Sequence, residues 1–230
     1  MGIQLQGNAG VIADVDGTLF RALRVVNKPL DYGTLGIYQY SAVSGVLAAA
    51  LAANAVVFSA RWGDATRLCA LLNLKIRFLP LTPFTAATLT DHTSFDAFVA
   101  RAFTASHTGG TAANLTGNNQ KLRTSMGSSL FTDIRIATTA ALGGGTLTVD
   151  AHPFMQSLRK GNRVNPAAAT EETIQPTTDG ADMEQDVASG WHPPVFAQNE
   201  GFVVRNRAVW PAAGTGLLKV EMSWAELTTY

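Results

Sequence analysis

Two aspartates near the start of the chain have the residue type and the spacing for phosphoryl transfer. The stretch VIADVDGTLF, residues 11–20, places Asp14 and Asp16 directly after an apolar run. One carboxylate there would attack phosphorus as a nucleophile, while its neighbour would help to hold Mg²⁺. The same residues also have a structural interpretation, because Asp-Gly between alternating segments is a strong signal for a type I′ hairpin turn. The rest of the sequence must distinguish the two.

The Asp-x-Asp-Gly-Thr stretch resembles the first motif of the haloacid-dehalogenase superfamily, whose catalytic domains transfer phosphoryl groups. The resemblance implies that Asp14 is the nucleophile, that Ser59 holds the phosphate and that Lys160 neutralises it. It also implies a late pair of acids that hold Mg²⁺ after an apolar strand. The late acids of this chain depart from that pattern, because a polar stretch surrounds them: they are Asp182, Glu184 and Asp186.

The fold implied by that superfamily also disagrees with the sequence. Doubly wound α/β domains need a long amphipathic helix between successive parallel strands. Residues 55–104 instead predict one strand after another, with no such helix. We therefore interpret Asp16-Gly17 as a hairpin turn, and a phosphatase that uses Asp14 stays as an alternative.

No other catalytic or metal-binding motif is present in the sequence. The patterns G-x-S-x-G, H-E-x-x-H, the Walker loop and a helix-entering G-x-G-x-x-G are all missing. The single cysteine, Cys69, lies in an apolar run, which is typical of a small buried thiol. Four tryptophans allow a carbohydrate-binding module as a further alternative, although core or interface packing is favoured. We predict a protein that is not an enzyme and has no catalytic, cofactor or metal site.

The composition restricts the class of partner. The 230 residues are 47% hydrophobic but only 15% charged, with a formal net charge of zero, whereas soluble domains are typically about 25% charged. Binding to nucleic acid through charge needs a basic stripe, and the sequence has no Lys/Arg run. No apolar segment reaches the ~20 residues of a membrane span. We predict neither a nucleic-acid nor a membrane partner, and a surface suited to packing against other proteins.

Alternation of apolar and polar residues at period two dominates the chain and predicts β-strands. Many short strands separated by turn residues are typical of a sandwich or barrel. We predict an all-β fold, a jelly-roll-like antiparallel β-sandwich, with strands at 23–27, 35–43, 55–62, 71–79, 95–104, 133–139, 145–151, 194–198, 201–206 and 216–227.

Three segments depart from this alternation. The Ala-rich residues 43–56 suit either a helix or a strand-turn-strand passage around Ala53-Asn54, and residues 118–131 suit one short helix. Residues 156–190 have few large apolar side chains, two prolines and a cluster of acids, which indicates a long irregular loop. We predict one β-sandwich domain over 1–230, with an irregular excursion at about 156–190.

Several longer stretches resemble structural proteins of tailed bacteriophages and together cover about half of the chain. They are VDGTLFRALRV, VVFSARWGDATRLCALLNLKIRF, FTAATLT, VARAFTASHTGGTAANLTGNNQKLRTSMGSSLFTDIRIATTAAL and AQNEGFVVRNRAVWPAAGTGLLKVEMSWAE. The resemblance implies a β-rich virion protein without catalytic residues. We predict a capsid decoration (cement) protein on the outer surface of the phage head. The alternative within this class is a tail, neck or fibre subunit.

The expected partners are the major capsid protein and further copies of this chain, with a trimer favoured. Polar chain beside a sandwich is what becomes ordered on a neighbour, so residues 1–10 and 156–190 are the expected contact segments. Aromatic and basic side chains are the expected anchors: Phe154, Trp191, Trp210, Arg159, Lys160 and Arg163.

Overall fold

The described part of the chain forms β-strands and no helix. The structure is a computed structural model that describes residues 36–82, 94–156, 181–184 and 193–228. These residues belong to one unit, Tyr32–Tyr230. The strands are β1 (Ile37–Val43), β2 (Val56–Trp62), β3 (Leu68–Thr82), β4 (Phe95–Thr108), β5 (Thr111–Ala112), β6 (Phe131–Ile136), β7 (Gly143–Val149), β8 (Met155–Gln156), β9 (Ala181–Glu184), β10 (Val195–Phe196), β11 (Glu200–Asn206) and β12 (Thr215–Leu227).

The strands form two antiparallel sheets that pack face to face. The five-stranded sheet has the order β1-β12-β3-β10, with β9 also paired to β3. The seven-stranded sheet has the order β5-β6-β2-β11-β4-β7, with β8 also paired to β4. The first four strands alternate between the sheets, so each connection crosses from one layer to the other. The expected all-β antiparallel sandwich is confirmed.

Alternation along β12 places one set of its side chains between the sheets, whereas the central strands β2 and β11 are buried at four consecutive residues. In β12, Leu218, Val220, Met222 and Trp224 are buried, while the residues between them are only partly buried. This is the alternation that identified β12 in the sequence, and it reflects the opposite directions of successive side chains in a strand.

Aromatic rings connect the two sheets at one end of the sandwich. Trp224 of β12 stacks on Tyr38 of β1, with ring centroids 5.6 Å apart. It also meets the edge of Phe131 from the other sheet at 5.1 Å, and Phe131 meets Trp62 at 5.2 Å. These four rings form a continuous path through the core from β1 to β2.

The two segments considered for helices are irregular. Residues 44–55 contain a turn at Ala53-Asn54, where Asn54 has φ 59°, and Leu47 forms an isolated bridge with Gly216. This confirms the passage around a turn and excludes the helix.

The short helix expected over 118–131 is wrong. Turns occupy the first part of this segment, and Gln120 has φ 63°, which is outside the helical region. The backbone N–H of Gln39 donates to the Gln120 carbonyl oxygen at 2.8 Å, and Tyr38 forms a bridge with Lys121. Pairing with the edge of β1 thus replaces helical hydrogen bonds, and this competition is not visible in local sequence.

The irregular excursion expected at about 156–190 needs a correction. Ala181–Glu184 form strand β9, which pairs antiparallel with Asn73–Ile76 of β3. The short segment has little alternation of its own, so its strand conformation depends on the neighbouring β3. Residues 157–180 and 185–190 lie outside the described residues, as do Asp14, the Asp16-Gly17 turn and the strand expected at 23–27. The single domain over 1–230 accordingly stays a prediction.

Phe202 provides a test of the shared core. Its side chain is fully buried and its ring lies 5.6 Å from Phe58 and 6.0 Å from Phe196 of the opposite sheet. We expect Phe202→Ala to lower the free energy of unfolding by about 3–5 kcal/mol, because it leaves a cavity between the sheets. Urea denaturation measures this value. Leu122→Ala, at an exposed side chain, is the control and should change it by less than about 0.5 kcal/mol. Equal effects of the two variants would contradict the arrangement of the core.

Candidate interaction surface

Two of the six expected anchor residues lie in the described part of the chain. Phe154 is partly buried and its ring meets the edge of Phe202 at 6.2 Å. Trp210 is only 1% exposed, so its assignment as an exposed anchor is wrong. The other four, Trp191, Arg159, Lys160 and Arg163, lie outside the described residues.

Two backbone hydrogen bonds between segments far apart in the sequence account for the burial of Trp210. Its N–H donates to the Leu51 carbonyl oxygen at 2.9 Å, and the Ala50 N–H donates to the Pro211 carbonyl oxygen at 2.9 Å. These two bonds hold the loop after β11 against residues 50–51. The ring then lies between Phe78 of one sheet and Phe95 of the other, at 5.4 Å and 6.4 Å.

Side chains with possible chemistry are enclosed or dispersed. Within the described ranges, no group of three or more His, Cys, Asp or Glu residues is placed to hold a metal ion. His107 is buried on β4, and burial lowers its pKa. Cys69 is fully buried, as expected, and burial raises the pKa of its thiol. Such a thiol is inert compared with an exposed thiolate.

Glu226 is the most enclosed carboxylate of the described residues, with 1% of its surface exposed. Its Oε1 accepts hydrogen bonds from Ser129 Oγ and the Leu130 N–H, both at 2.9 Å, and from Trp224 Nε1 at 3.3 Å. Burial raises the pKa of Glu226 against the opposing effect of these bonds. All three donors are structural, so Glu226 anchors the segment before β6 onto β12.

The outer face of the five-stranded sheet is ordered in cross-strand rows. Residues opposite one another in an antiparallel pair share a face. From β1 through β12 to β3, the rows are Gln39–Ser223–Asn73, Ser41–Glu221–Lys75 and Val43–Lys219–Arg77. Beyond the last row, Leu217 lies opposite Leu79. Polarity therefore changes along the strands, from amides and hydroxyls through charges to apolar side chains.

Exposed apolar side chains concentrate at this last position. Val43, Val46, Leu79 and Leu81, which we call the apolar end, are 52%, 46%, 49% and 47% exposed. They come from the ends of β1 and β3 and from the segment directly after β1. Only two other large apolar side chains of the described residues are exposed, Leu122 and Val209. Contiguous exposed apolar patches are typical of interaction sites, whereas single exposed apolar residues are not, so the apolar end is the candidate interaction surface.

Next to the apolar end, two rows of β12 and β3 hold the cations Lys75, Arg77 and Lys219 and the carboxylate Glu221, and Asp182 of β9 lies opposite Lys75. Lys219 Nζ lies 2.8 Å from Glu221 Oε1, and this hydrogen bond holds the pKa of Glu221 below its usual value. The charges of Arg77 and Lys75 act in the same direction. Arg77 is exposed, and no carboxylate of the described residues forms an ion pair with it. Its guanidinium is available to a partner.

Arginines of the seven-stranded sheet are engaged within the chain. Arg101 forms ion pairs with Asp150 and Glu200, both at 2.9 Å. Arg135 Nε lies 2.7 Å from Asp133 Oδ2. Arg205 lies over the ring of Phe98 at 5.7 Å. Among the described residues, the five-stranded sheet is therefore the one that presents an arginine without an ion pair, Arg77, beside exposed apolar side chains.

The sequence contained a signal for the apolar end that periodicity alone did not identify. In β3, Leu74, Ile76 and Phe78 point inward, while Lys75 and Arg77 point outward. The next two outward positions hold Leu79 and Leu81 instead of polar residues. A break in polarity on the wet face of a strand was therefore the signal.

Comparisons with protein-family models, with curated proteins and with solved structures found no match. Among the described residues there is no helix of the length and apolar character needed to cross a membrane.

Glu226 allows a test of its structural role through two substitutions. Glu226→Ala leaves the Leu130 N–H, the Ser129 hydroxyl and the Trp224 indole N–H without their acceptor, and we expect it to lower the free energy of unfolding by about 2–4 kcal/mol. Glu226→Gln keeps an acceptor oxygen and should cost much less. Chemical denaturation of both variants and the wild type at matched pH measures the difference.

The pH dependence of stability separates the effect of the Glu226 charge from the effect of its packing. A carboxyl whose folded-state pKa is raised contributes stability below its unfolded pKa, which is near 4.5, and loses it as pH rises through the folded value. The free energy of unfolding of Glu226→Gln, relative to that of the wild type, should therefore increase from pH 4 to pH 8. Only the wild type loses stability as pH rises above the unfolded pKa of Glu226. A pH-independent difference would show that the carboxylate is not desolvated.

Proposed function

We propose that this chain is a non-enzymatic structural protein of a tailed-bacteriophage virion. In this proposal it is a decoration protein that binds the outer surface of the assembled head and braces it. Its partners are the major capsid protein and further copies of the chain, and a trimer is the favoured homo-oligomer.

The observation that carries the proposal is the concentration of exposed apolar side chains at one end of the five-stranded sheet. Four of the six exposed large apolar side chains of the described residues lie there. A folded domain with so few charges, 15% of its residues, and with such a cluster is suited to a permanent position against another protein.

The resemblance to phage structural proteins adds support of a different kind. Three of the five matching stretches correspond to β2, β3, β4, β5, β6, β11 and β12 with some of their connections, and the other two lie outside the described residues. They therefore include the framework of both sheets, and they contain no catalytic motif.

Multivalency explains how a modest surface would suffice for such a role. A subunit that binds a shell together with other copies needs little contact free energy at each site, because the second contact is intramolecular. A small sandwich with one exposed patch per copy satisfies this requirement.

Immunolabelling of purified phage particles tests the proposed location. An antibody raised against this chain should distribute over the whole head in electron micrographs, and quantitative mass spectrometry should give a copy number comparable with that of the major capsid protein. A second antibody against a known tail component serves as the control for labelling at one vertex.

Two results would contradict the decoration role. Label confined to the tail or to one vertex, with a low copy number, would assign the chain to the tail, neck or fibre. Absence of the chain from purified particles would exclude a virion role, and Mg²⁺-dependent phosphate release that Asp14→Asn abolishes would then identify a phosphatase.

A further inference from the structure

The apolar end and the adjacent cations Arg77 and Lys219 form one continuous patch. Arg77 and Leu79 lie two residues apart on β3 and both are exposed. Residues i and i+2 of a strand share a face and are separated by about 7 Å. One partner surface can therefore contact the guanidinium of Arg77 and the side chain of Leu79 together.

The chemistry of this patch defines what fits it. Apolar side chains favour an apolar surface that excludes water, whereas an arginine in such a contact needs an anionic acceptor. A carboxylate satisfies a guanidinium through two parallel hydrogen bonds, and arginine is accordingly frequent at the centre of interfaces. The complementary surface has apolar residues bordered by Asp or Glu.

A second copy of this chain does not supply that complement through a two-fold contact. In such a contact the same patch occurs on both sides. The patch itself, the apolar end with Arg77 and Lys219, contains no carboxylate; in the adjacent row Glu221 is bonded to Lys219, and Asp182 of β9 lies opposite Lys75 in the strand pairing. The two Arg77 side chains would remain without an anion.

Nucleic acid does not supply it either. A phosphate backbone would pair with Arg77 and Lys219 but would leave the exposed leucines and valines against a charged surface. Binding of that kind depends on many cations along a track, and this patch has few.

We propose that the apolar end, Arg77 and Lys219 form the docking surface for the phage head, and that its site there is an apolar patch with a carboxylate facing Arg77. This inference rests on the proposed function and adds the face that docks and the chemistry of the partner. Contacts between copies of the chain then involve other surfaces.

Binding to heads that lack the protein tests the inference. Particles are prepared from phage without a functional copy of this gene, and purified protein is titrated onto them and quantified after co-sedimentation. We expect Leu79→Ser with Leu81→Ser to weaken binding about tenfold or more, and Arg77→Glu about 30-fold or more, because central apolar and arginine residues dominate interface energetics. Arg77→Lys keeps the charge but not the paired geometry, and should lie between Arg77→Glu and the wild type.

Matched controls come from the two residues after Lys121, which pairs with Tyr38 at the opposite end of β1. Leu122 and Arg123 are also exposed, so Leu122→Ser and Arg123→Glu repeat the two chemical changes away from the patch. Both should bind within about twofold of the wild type. Thermal unfolding of each variant checks that the fold is intact.

The outcomes separate the inference from the proposed function. If the wild type binds and the patch variants bind equally well, the docking surface is wrong and the head-binding role stands. If the wild type does not bind, the proposed function fails and the inference fails with it. If Leu79→Ser with Leu81→Ser dissociates the free protein in analytical ultracentrifugation, the patch lies between copies and the inference is overturned.

Discussion

Aromatic contacts between the two sheets hold the described structure together. Trp224 meets Tyr38 of its own sheet and Phe131 of the other, while Phe78 and Phe95 meet across the opposite end of the sandwich at 5.2 Å. Because successive side chains of a strand point to opposite faces, a slip by one residue would expose these rings and bury the polar residues between them. The inner contacts therefore also determine which side chains face outward. The position of Arg77 beside Leu79 is a consequence of the register that places Phe78 in the core.

The aromatic core contains polar groups that need partners. Trp62 Nε1 donates to the Arg67 carbonyl oxygen at 3.0 Å, and Trp224 Nε1 donates to Glu226. An indole N–H without an acceptor in the core would cost about 1–3 kcal/mol. Glu226 also binds the backbone at Leu130, so one carboxylate completes the core and fastens a long connection. These hydrogen bonds explain how the carboxyl group of Glu226 is accommodated in the buried, otherwise apolar end of β12.

Local alternation was sufficient to predict most of the strands and the sandwich. The strand expected at 201–206 is β11 with one further residue, and that at 216–227 is β12 with one further residue. The errors occurred where distant contacts decide the conformation. Gln120 and Lys121 pair with the edge of β1, Ala181–Glu184 pair with β3, and Trp210 enters the core through bonds to residues 50–51. No local pattern encodes these partners, because each depends on where the chain returns after a long loop.

The two outer faces of the sandwich differ in how they use charge. On the seven-stranded sheet, Arg101 is bonded to both Asp150 and Glu200, so its charge is satisfied within the chain. On the five-stranded sheet, Arg77 has no such pair among the described residues and borders exposed leucines. Exposed ion pairs contribute little to stability, so selection for stability alone does not explain the contrast. The proposed docking contact accounts for it, because an arginine next to exposed apolar side chains becomes favourable when a partner supplies both a carboxylate and an apolar surface.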